Sequence, residues 1–208
     1  YIERSKIPVF LDLGITSGRI HPGAAYSFSW DKVDPDLDGK NFDFSGTDAS
    51  ITLAEKYDIQ ILPSFSPHSD WMARTVYLET DKQDAYQKYI LDIVERYDKD
   101  GKDDMPGLKN PIIYWQLDNE ADLKNAISKR KGKTFETPDE YALVLKLTRE
   151  ALKKANTEAL LMPNFAGLGQ DTGQTALAYM QNFVEKDGLL YSDIVSFHAY
   201  PFTYEIDE

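Results

Sequence analysis

The feature that most constrains this chain is a regular alternation of short apolar segments with longer amphipathic ones. Residues 59–65 (IQILPSF), 111–117 (PIIYWQL) and 159–165 (ALLMPNF) are short and almost wholly apolar. Between them, residues 84–97 and 137–155 carry apolar side chains three and four apart, as in a helix with one buried face. Apolar strands separated by helices favour a parallel sheet that is covered by helices.

The strands end on polar residues, which favours one kind of parallel sheet. Read along the whole chain, the pattern predicts five helix–strand pairs, and the polar residues at the carboxyl ends of the strands are Arg19, His68, Glu120, Asn164 and His198. In barrels of alternating strands and helices, the active site lies at this end. A doubly wound dinucleotide fold is less favoured, because GLGQDTG (167–173) has the wrong spacing for its glycine-rich turn. The sequence therefore predicts an α/β fold of the (β/α) barrel type.

Composition limits the partners. A net charge of −12 disfavours nucleic acid and anionic membranes. The chain has no cysteine, and its three histidines lack zinc-ligand spacing, so we expect no metal and no cofactor. No apolar run is long enough to span a membrane. Residues 1–10 lack the features of a signal peptide, and the compartment stays undetermined.

The segment IYWQLDNEADL (113–123) carries the strongest chemical signal. Its apolar strand ends on Asn119 and Glu120. A carboxyl at the rim of a barrel cavity is partly removed from water, which favours its protonated form and suits it to protonate a departing glycosidic oxygen. The amide of Asn119 can donate to and accept from a sugar hydroxyl. The dipeptide alone is also compatible with an ordinary strand end in solvent.

YWQLDNEADL resembles the fourth-strand signature of the clan A glycoside hydrolases, the retaining barrel enzymes that include cellulases, mannanases and β-xylosidases. The resemblance implies that Asn119 and Glu120 close strand 4 and that Glu120 is the acid/base. Arg19 in GRIHP matches a strand-2 arginine, which would orient the nucleophile and keep it ionised. SFHAYP matches the strand-6 His-x-Tyr pattern, so that His198 and Tyr200 would reach the same cavity. Tyr200 would then form a hydrogen bond to the nucleophile.

Further residues are weaker candidates for contacts with a carbohydrate substrate. The resemblance places His68, in FSPHSDW, after strand 3. Trp71 and Trp30 would stack on sugar rings, although packing is an equal alternative for each. Asn164, at the end of a strand, is predicted to face the substrate. Arg19 could instead pair with a structural acid.

The resemblance also implies that part of the barrel lies elsewhere. It covers strands 2 to 6, so strands 1, 7 and 8 and the strand-7 glutamate nucleophile have no counterpart here. Glu205 and Glu208 are poor substitutes, since no helix separates them from strand 6. We therefore expect residues 1–208 to be a single partial barrel domain, whose partner is the remainder of its own chain and which is inactive by itself.

Two other function classes stay open at this point. A carbohydrate-binding or scaffold protein could keep the barrel without the chemistry. An unrelated barrel enzyme, such as an aldolase or isomerase, would need a Schiff-base lysine or metal ligands at the strand ends, and no predicted strand ends on lysine.

Overall fold

The structure is a computed structural model, which describes residues 7–20, 28–67, 80–123, 137–166 and 173–198. The α-helices in these ranges are Ile7–Asp12 (α1), Trp30–Val33 (α2), Ser45–Lys56 (α3), Thr80–Arg96 (α4), Pro138–Ala155 (α5) and Gly173–Glu185 (α6). The strands are Ser17–Arg19 (β1), Phe28–Ser29 (β2), Gln60–Leu62 (β3), Ser64–Ser66 (β4), Tyr114–Leu117 (β5), Leu160–Phe165 (β6) and Ser196–Phe197 (β7). A 3-10 turn, Gly188–Tyr191, follows α6.

The strands form two parallel sheets, and in the larger sheet they follow the order of the chain. The main sheet has the order β2-β4-β5-β6-β7, and β1 pairs with β3 in a second, two-stranded sheet. The pairings between described strands are all parallel. Among the described residues β2 and β7 each have one unpaired side, so the sheet is open. This is the α/β architecture of a partial barrel and confirms the predicted fold class.

One predicted strand is divided into two pieces. The segment 59–65 is split at Pro63, so that β3 pairs with β1 while β4 pairs with β2 and β5. Proline has no N–H to give to a ladder, which makes it a natural point for a strand to change partner. The first predicted strand, which ends on Arg19, corresponds to β1, and the short strand β2 comes after it in the chain.

The helix ends agree with the sequence in one case and differ in another. Thr137 caps α5, Pro138 takes its first turn, and Glu140 completes the capping box, as its sequence predicts. The sequence FSGTDASITLAEKYD (44–58) predicts a helix with Ser45 or Thr47 as its N-cap, but the N-cap of α3 is Phe44. Asp43 supplies the acceptor instead, since its Oδ1 accepts from the Ser45 N–H at 2.9 Å.

The register divides the side chains of the sheet between two faces. On one face the Phe65 ring stacks on the Trp115 ring with centroids 4.7 Å apart, and Tyr89 of α4 packs edge-on against Phe65. Gln116, which pairs with Ser64 and Met162, lies on the other face. One face is therefore a core against helices, and the other carries buried polar groups as the inside of a barrel would.

The part of the chain that the structure describes contains no helix both long and apolar enough to cross a membrane.

Candidate functional site

The candidate site begins at the turn that follows β5. Asp118 and Glu120 both have left-handed backbones, with φ of 55° and 56°. This conformation is uncommon for residues other than glycine and is strained unless its surroundings hold it. The buried Asp118 supplies one restraint, because its Oδ1 accepts from the Asn119 N–H at 2.7 Å.

The Glu120 carboxylate lies among polar groups from three other positions in the chain. His198 Nδ1 is 2.8 Å from Glu120 Oε1, and Asn119 Nδ2 donates to Glu120 Oε2 at 3.3 Å. Arg19 donates in turn from a terminal guanidinium nitrogen to Asn119 Oδ1 at 2.7 Å. Four of the five predicted catalytic residues therefore form one connected group. The fifth, Tyr200, lies outside the described residues.

The backbone of Glu120 is held from the neighbouring strand. Its N–H donates to Oδ1 of Asn164, at the end of β6, at 2.9 Å. Asn164 Nδ2 donates to Ser196 Oγ on β7, also at 2.9 Å. Since Ser196 and His198 are two residues apart, they lie on the same face of their strand. A single asparagine thus connects the ends of three strands around Glu120.

A second set of hydrogen bonds fixes the approach to the turn. The Tyr141 hydroxyl, brought in by α5, donates to the Leu117 carbonyl and accepts from the Asn164 N–H, each at 3.0 Å. On the other side, Gln116 Nε2 and the Ser64 hydroxyl donate to the Asp118 carbonyl, at 2.8 and 3.0 Å. These groups are buried, so their bonds are protected from competition with water.

Asp122 adds a second acid beside Glu120. Its Oδ1 accepts from the Ala166 N–H at 2.7 Å, and its buried Oδ2 has no hydrogen-bond partner among the residues that the structure describes. Burial raises the pKa of Asp122 against the opposing effect of its backbone hydrogen bonds, and the negative charge of Glu120 raises it further. A neighbouring negative charge disfavours ionisation of Asp122, so the raised pKa means that this carboxyl keeps its proton more readily than a free aspartate.

Two predicted substrate contacts are corrected by the structure. Trp30 is 0% exposed: it packs against Tyr86 and Tyr89, and its Nε1 donates to Asp34. It is therefore a core residue, and its ring has no free face for a sugar. Asn164 is also fully buried, with its amide turned to Glu120 and Ser196 rather than to a cavity. His68 and Trp71 lie outside the described residues.

A group of acids elsewhere has the geometry of metal ligands. Carboxylate oxygens of Asp98, Asp100 and Asp104 lie within 4.8 Å of one another in the loop that leads into β5. Burial raises the pKa of Asp98 to about 6, and the nearby acids add to the rise. The loop meets the amino end of β5, whereas Glu120 follows its carboxyl end, so this group is separate from the candidate site.

Comparison with solved structures identifies the fold. A β-galactosidase from Marinomonas ef1 is similar with a TM-score of 0.58 at 14% identity, over 96% of this chain and 39% of that one. A family 39 glycoside hydrolase from Bacteroides cellulosilyticus WH2 gives 0.56 at 18%, over 93% and 34%. AbfB, a family 51 α-L-arabinofuranosidase from Bifidobacterium longum, gives 0.57 at 18%, over 96% and 39%.

The chain has the fold of a glycoside hydrolase barrel. The resemblance seen in the sequence is thus confirmed at the level of the fold, and the chain spans between 34% and 39% of the length of these three structures. No protein-family model matches the chain, and no curated protein matches it.

Several residues that support the turn were not among those selected from the sequence. Ser196 could have been found by counting two residues back from His198 along the strand. Tyr141 gave no such signal, because it occupies an ordinary apolar position of α5. Asp122 lies within the quoted segment, but its burial depends on contact with β6.

Proposed function

We propose that this chain forms part of a retaining glycoside hydrolase in which Glu120 is the acid/base. The observation that carries the proposal is the convergence on one carboxyl of Asn119, His198 and, through Asn119, Arg19. These residues come from the carboxyl ends of different strands, where barrel enzymes assemble their catalytic groups. The barrel fold adds support, since barrel enzymes have their active sites at the carboxyl ends of the strands.

In the first step of the proposed reaction, Glu120 gives its proton to the glycosidic oxygen. The bond between that oxygen and the anomeric carbon breaks, while a second carboxylate forms a bond to the same carbon. In the second step Glu120, now ionised, takes a proton from water. The water oxygen bonds to the anomeric carbon, the ester bond to the second carboxylate breaks, and Glu120 is protonated again.

We place the second carboxylate outside these 208 residues. A retaining enzyme needs it about 5–5.5 Å from the acid/base. Asp118 and Asp122 are the acids next to Glu120 in sequence, but both are buried and accept backbone N–H groups. A carboxylate engaged in this way is held away from an attacking geometry. The nucleophile therefore belongs, in this proposal, to the part of the barrel that completes the open sheet.

Exposed apolar side chains at both flanks support this completion. Val9 on α1 and Leu13 just after it are 56% and 70% exposed. At the other flank Phe197 of β7 is 54% exposed and Leu190 is 69% exposed. Apolar groups gathered at unpaired sheet edges are expected to be covered by further structure. We propose that further strands and helices of the same barrel cover them.

The proposal is tested by Glu120→Gln in the full-length protein. Substrates are phenyl and 2,4-dinitrophenyl glycosides of β-galactose, β-xylose, β-glucose and β-mannose, with α-L-arabinofuranosides as a further pair. A phenolate is a poor leaving group that needs protonation, whereas dinitrophenolate departs without it. We expect kcat/KM to fall about 10²–10⁴-fold for the phenyl glycosides and much less for the dinitrophenyl ones.

The control is Glu158→Gln, which removes an exposed carboxylate from the loop before β6. It should leave both rates unchanged. Equal rates for Glu120→Gln and wild type on phenyl glycosides would refute the acid/base assignment. NMR of the first-formed sugar tests the stereochemistry, and an inverted anomer would refute the double displacement. Sugar binding without any hydrolysis by the wild type would instead favour a binding protein.

A further inference from the structure

Asn164 is buried although asparagine is a polar residue, and the fold does not require an amide at this position. It is fully buried at the end of β6, on the same face of the sheet as Gln116, as the ladder register shows. Both ends of its side chain are engaged, with Oδ1 accepting from the Glu120 N–H and Nδ2 donating to Ser196. Buried amides are usually retained because their hydrogen bonds are satisfied, so the nature of the partners is the informative point.

The partner of Oδ1 is the backbone of the strained residue itself. Glu120 has a φ of 56°, and its N–H points out of the β5–β6 ladder, which ends with the pair Leu117 and Pro163. Left to itself, a non-glycine residue disfavours this conformation, because its Cβ lies too close to the following carbonyl oxygen. The bond to Asn164 offsets part of that cost and selects the left-handed form over the extended one.

The contact between the turn and β6 is reciprocal. An Asn164 side chain accepts from the backbone of the turn, and the Asp122 side chain accepts from the backbone N–H of Ala166 just beyond β6. Two bonds in opposite senses fix both the distance and the rotation of the turn relative to the strand. The carboxylate of Glu120 then meets His198 Nδ1 at 2.8 Å.

We propose that Asn164 is a positioning residue for Glu120: it holds the left-handed turn through the Glu120 N–H and thereby aims the carboxyl at the scissile bond. The inference rests on the proposed function for its catalytic consequence. The structural part, a hydrogen bond that maintains the turn, stands apart from catalysis and is measured separately.

The experiment compares Asn164→Ala with Asn164→Asp in the full-length protein. Alanine removes the acceptor, while aspartate keeps an oxygen at the same position. The first readout is hydrogen exchange of the Glu120 amide by NMR. We expect Asn164→Ala to lose at least ten-fold of the protection of this amide, and Asn164→Asp to retain it, because a carboxylate oxygen accepts the same N–H.

The second readout is hydrolysis of the paired glycosides. Misplacing a catalytic group by about 1 Å costs on the order of 10²-fold, so we expect Asn164→Ala to lower kcat/KM by about that factor for phenyl glycosides. The dinitrophenyl substrates, which need no protonation, should lose only a few-fold. Asn164→Asp should recover most of the phenyl glycoside activity.

The control for a purely structural effect is Thr148→Val. Thr148 is fully buried in α5, and its hydroxyl bonds to Tyr86 and to the Val144 carbonyl, away from the turn. This variant should be less stable but should keep the Glu120 amide protection and the ratio of the two substrate rates. The amide protection is a local quantity and the comparison of substrates is a ratio, so a general loss of stability would not produce the changes expected for Asn164→Ala.

Two results would overturn the proposal. One is unchanged protection of the Glu120 amide in Asn164→Ala. The other is an equal loss on both classes of glycoside, which would indicate a general disruption rather than misplacement of the acid. If the wild-type protein cleaves none of the glycosides, the proposed function fails, and amide exchange still decides whether Asn164 holds the turn.

Discussion

The turn at the carboxyl end of β5 and the loop at its amino end are built from similar parts. Each contains at least one buried carboxylate, and each contains left-handed residues, which are Asp118 and Glu120 in the turn and Lys99 and Asp103 in the loop. In the loop, the aspartates accept backbone N–H groups two or three residues away. In the turn, Glu120 is bonded to residues 44 and 78 positions distant.

The difference shows what separates a candidate site from an acidic loop. Local hydrogen bonds can shape a loop of almost any composition, since they need only the right neighbours in sequence. Contacts between residues far apart require several elements to be placed correctly at once. In the turn such contacts reach the left-handed residue Glu120 itself, whereas the long-range bonds of the loop join Lys109 and Asn110 to Glu55, away from its left-handed residues. The turn is therefore where a strained conformation is maintained by the tertiary structure.

The strongest test of this comparison removes one cation from each end. Arg19→Met deletes the guanidinium that bonds Asn119, which in turn bonds Glu120. We expect kcat/KM in the full-length protein to fall about 10²-fold, because both Asn119 and the acid lose their orientation. Lys102→Met, which removes an exposed partner of Glu95 in the loop, should leave activity unchanged. Equal effects of the two changes would contradict the distinction between the two ends.

A smaller effect is expected from removing one hydroxyl beneath the turn. Tyr141→Phe takes the bridge between the Leu117 carbonyl and the Asn164 N–H out of a buried region. We expect the free energy of unfolding in urea to fall by about 1–3 kcal/mol, since buried backbone groups lose a partner.

The matched control is Tyr86→Phe, another fully buried tyrosine. Its hydroxyl bonds to the Thr148 hydroxyl, which also donates to the Val144 carbonyl. Because that partner keeps a hydrogen bond, the loss should be smaller than for Tyr141→Phe. A larger loss for Tyr86→Phe would show that the support of the turn is not exceptional.

The smallest expected effect concerns the acidic loop, where the substitution should raise the stability of the protein instead of lowering it. The pKa of Asp98 is raised to about 6 by burial and then by its acidic neighbours. Between pH ~4 and 6 the folded protein therefore holds this proton more tightly than the unfolded chain, and stability falls as the pH rises. Asp98→Asn removes this penalty. We expect a gain of about 1 kcal/mol at pH 8, or roughly 2–4 °C in Tm, with little change at pH 4.

Asp103→Asn, an exposed change in the same loop, is the control for total charge and should move Tm less. Thermal unfolding of the three proteins from pH 4 to 8 checks the expectation. An Asp98→Asn protein that is less stable than wild type at pH 8 would indicate that the Asp98 carboxylate is needed by the loop rather than tolerated.

Local patterns predicted the elements wherever a few residues close together in the sequence decide the outcome. The capping box of α5 needs only Thr137, Pro138 and Glu140, and it is found as predicted. The predicted N-cap of α3 was wrong by contrast. The Ser45 N–H donates to Asp43, and no sequence rule chose between this acceptor and the side chains of Ser45 and Thr47. The stop at Pro63 was expected from the sequence, but the continuation of the segment as β4 was not, since it depends on which strand each half meets.

The candidate site was predictable in its members but not in their arrangement. Arg19, Asn119, Glu120 and His198 were selected by position at strand ends and by resemblance, and the structure brings these four together. Trp30 was assigned to a sugar because aromatic rings suit both sugars and cores, and only its burial decides between the two uses. Asn164 was assigned to the substrate, although its amide faces the turn.

The sequence by itself determined the parallel α/β architecture and the strand ends on which polar groups lie. The spacing of apolar residues is a local property of the sequence, so it can be read without knowing any tertiary contact. Only the tertiary structure decided which side chains of those ends meet and which backbone must adopt a strained form. Those outcomes depend on register and on bonds across 44 to 100 residues, which no local pattern encodes.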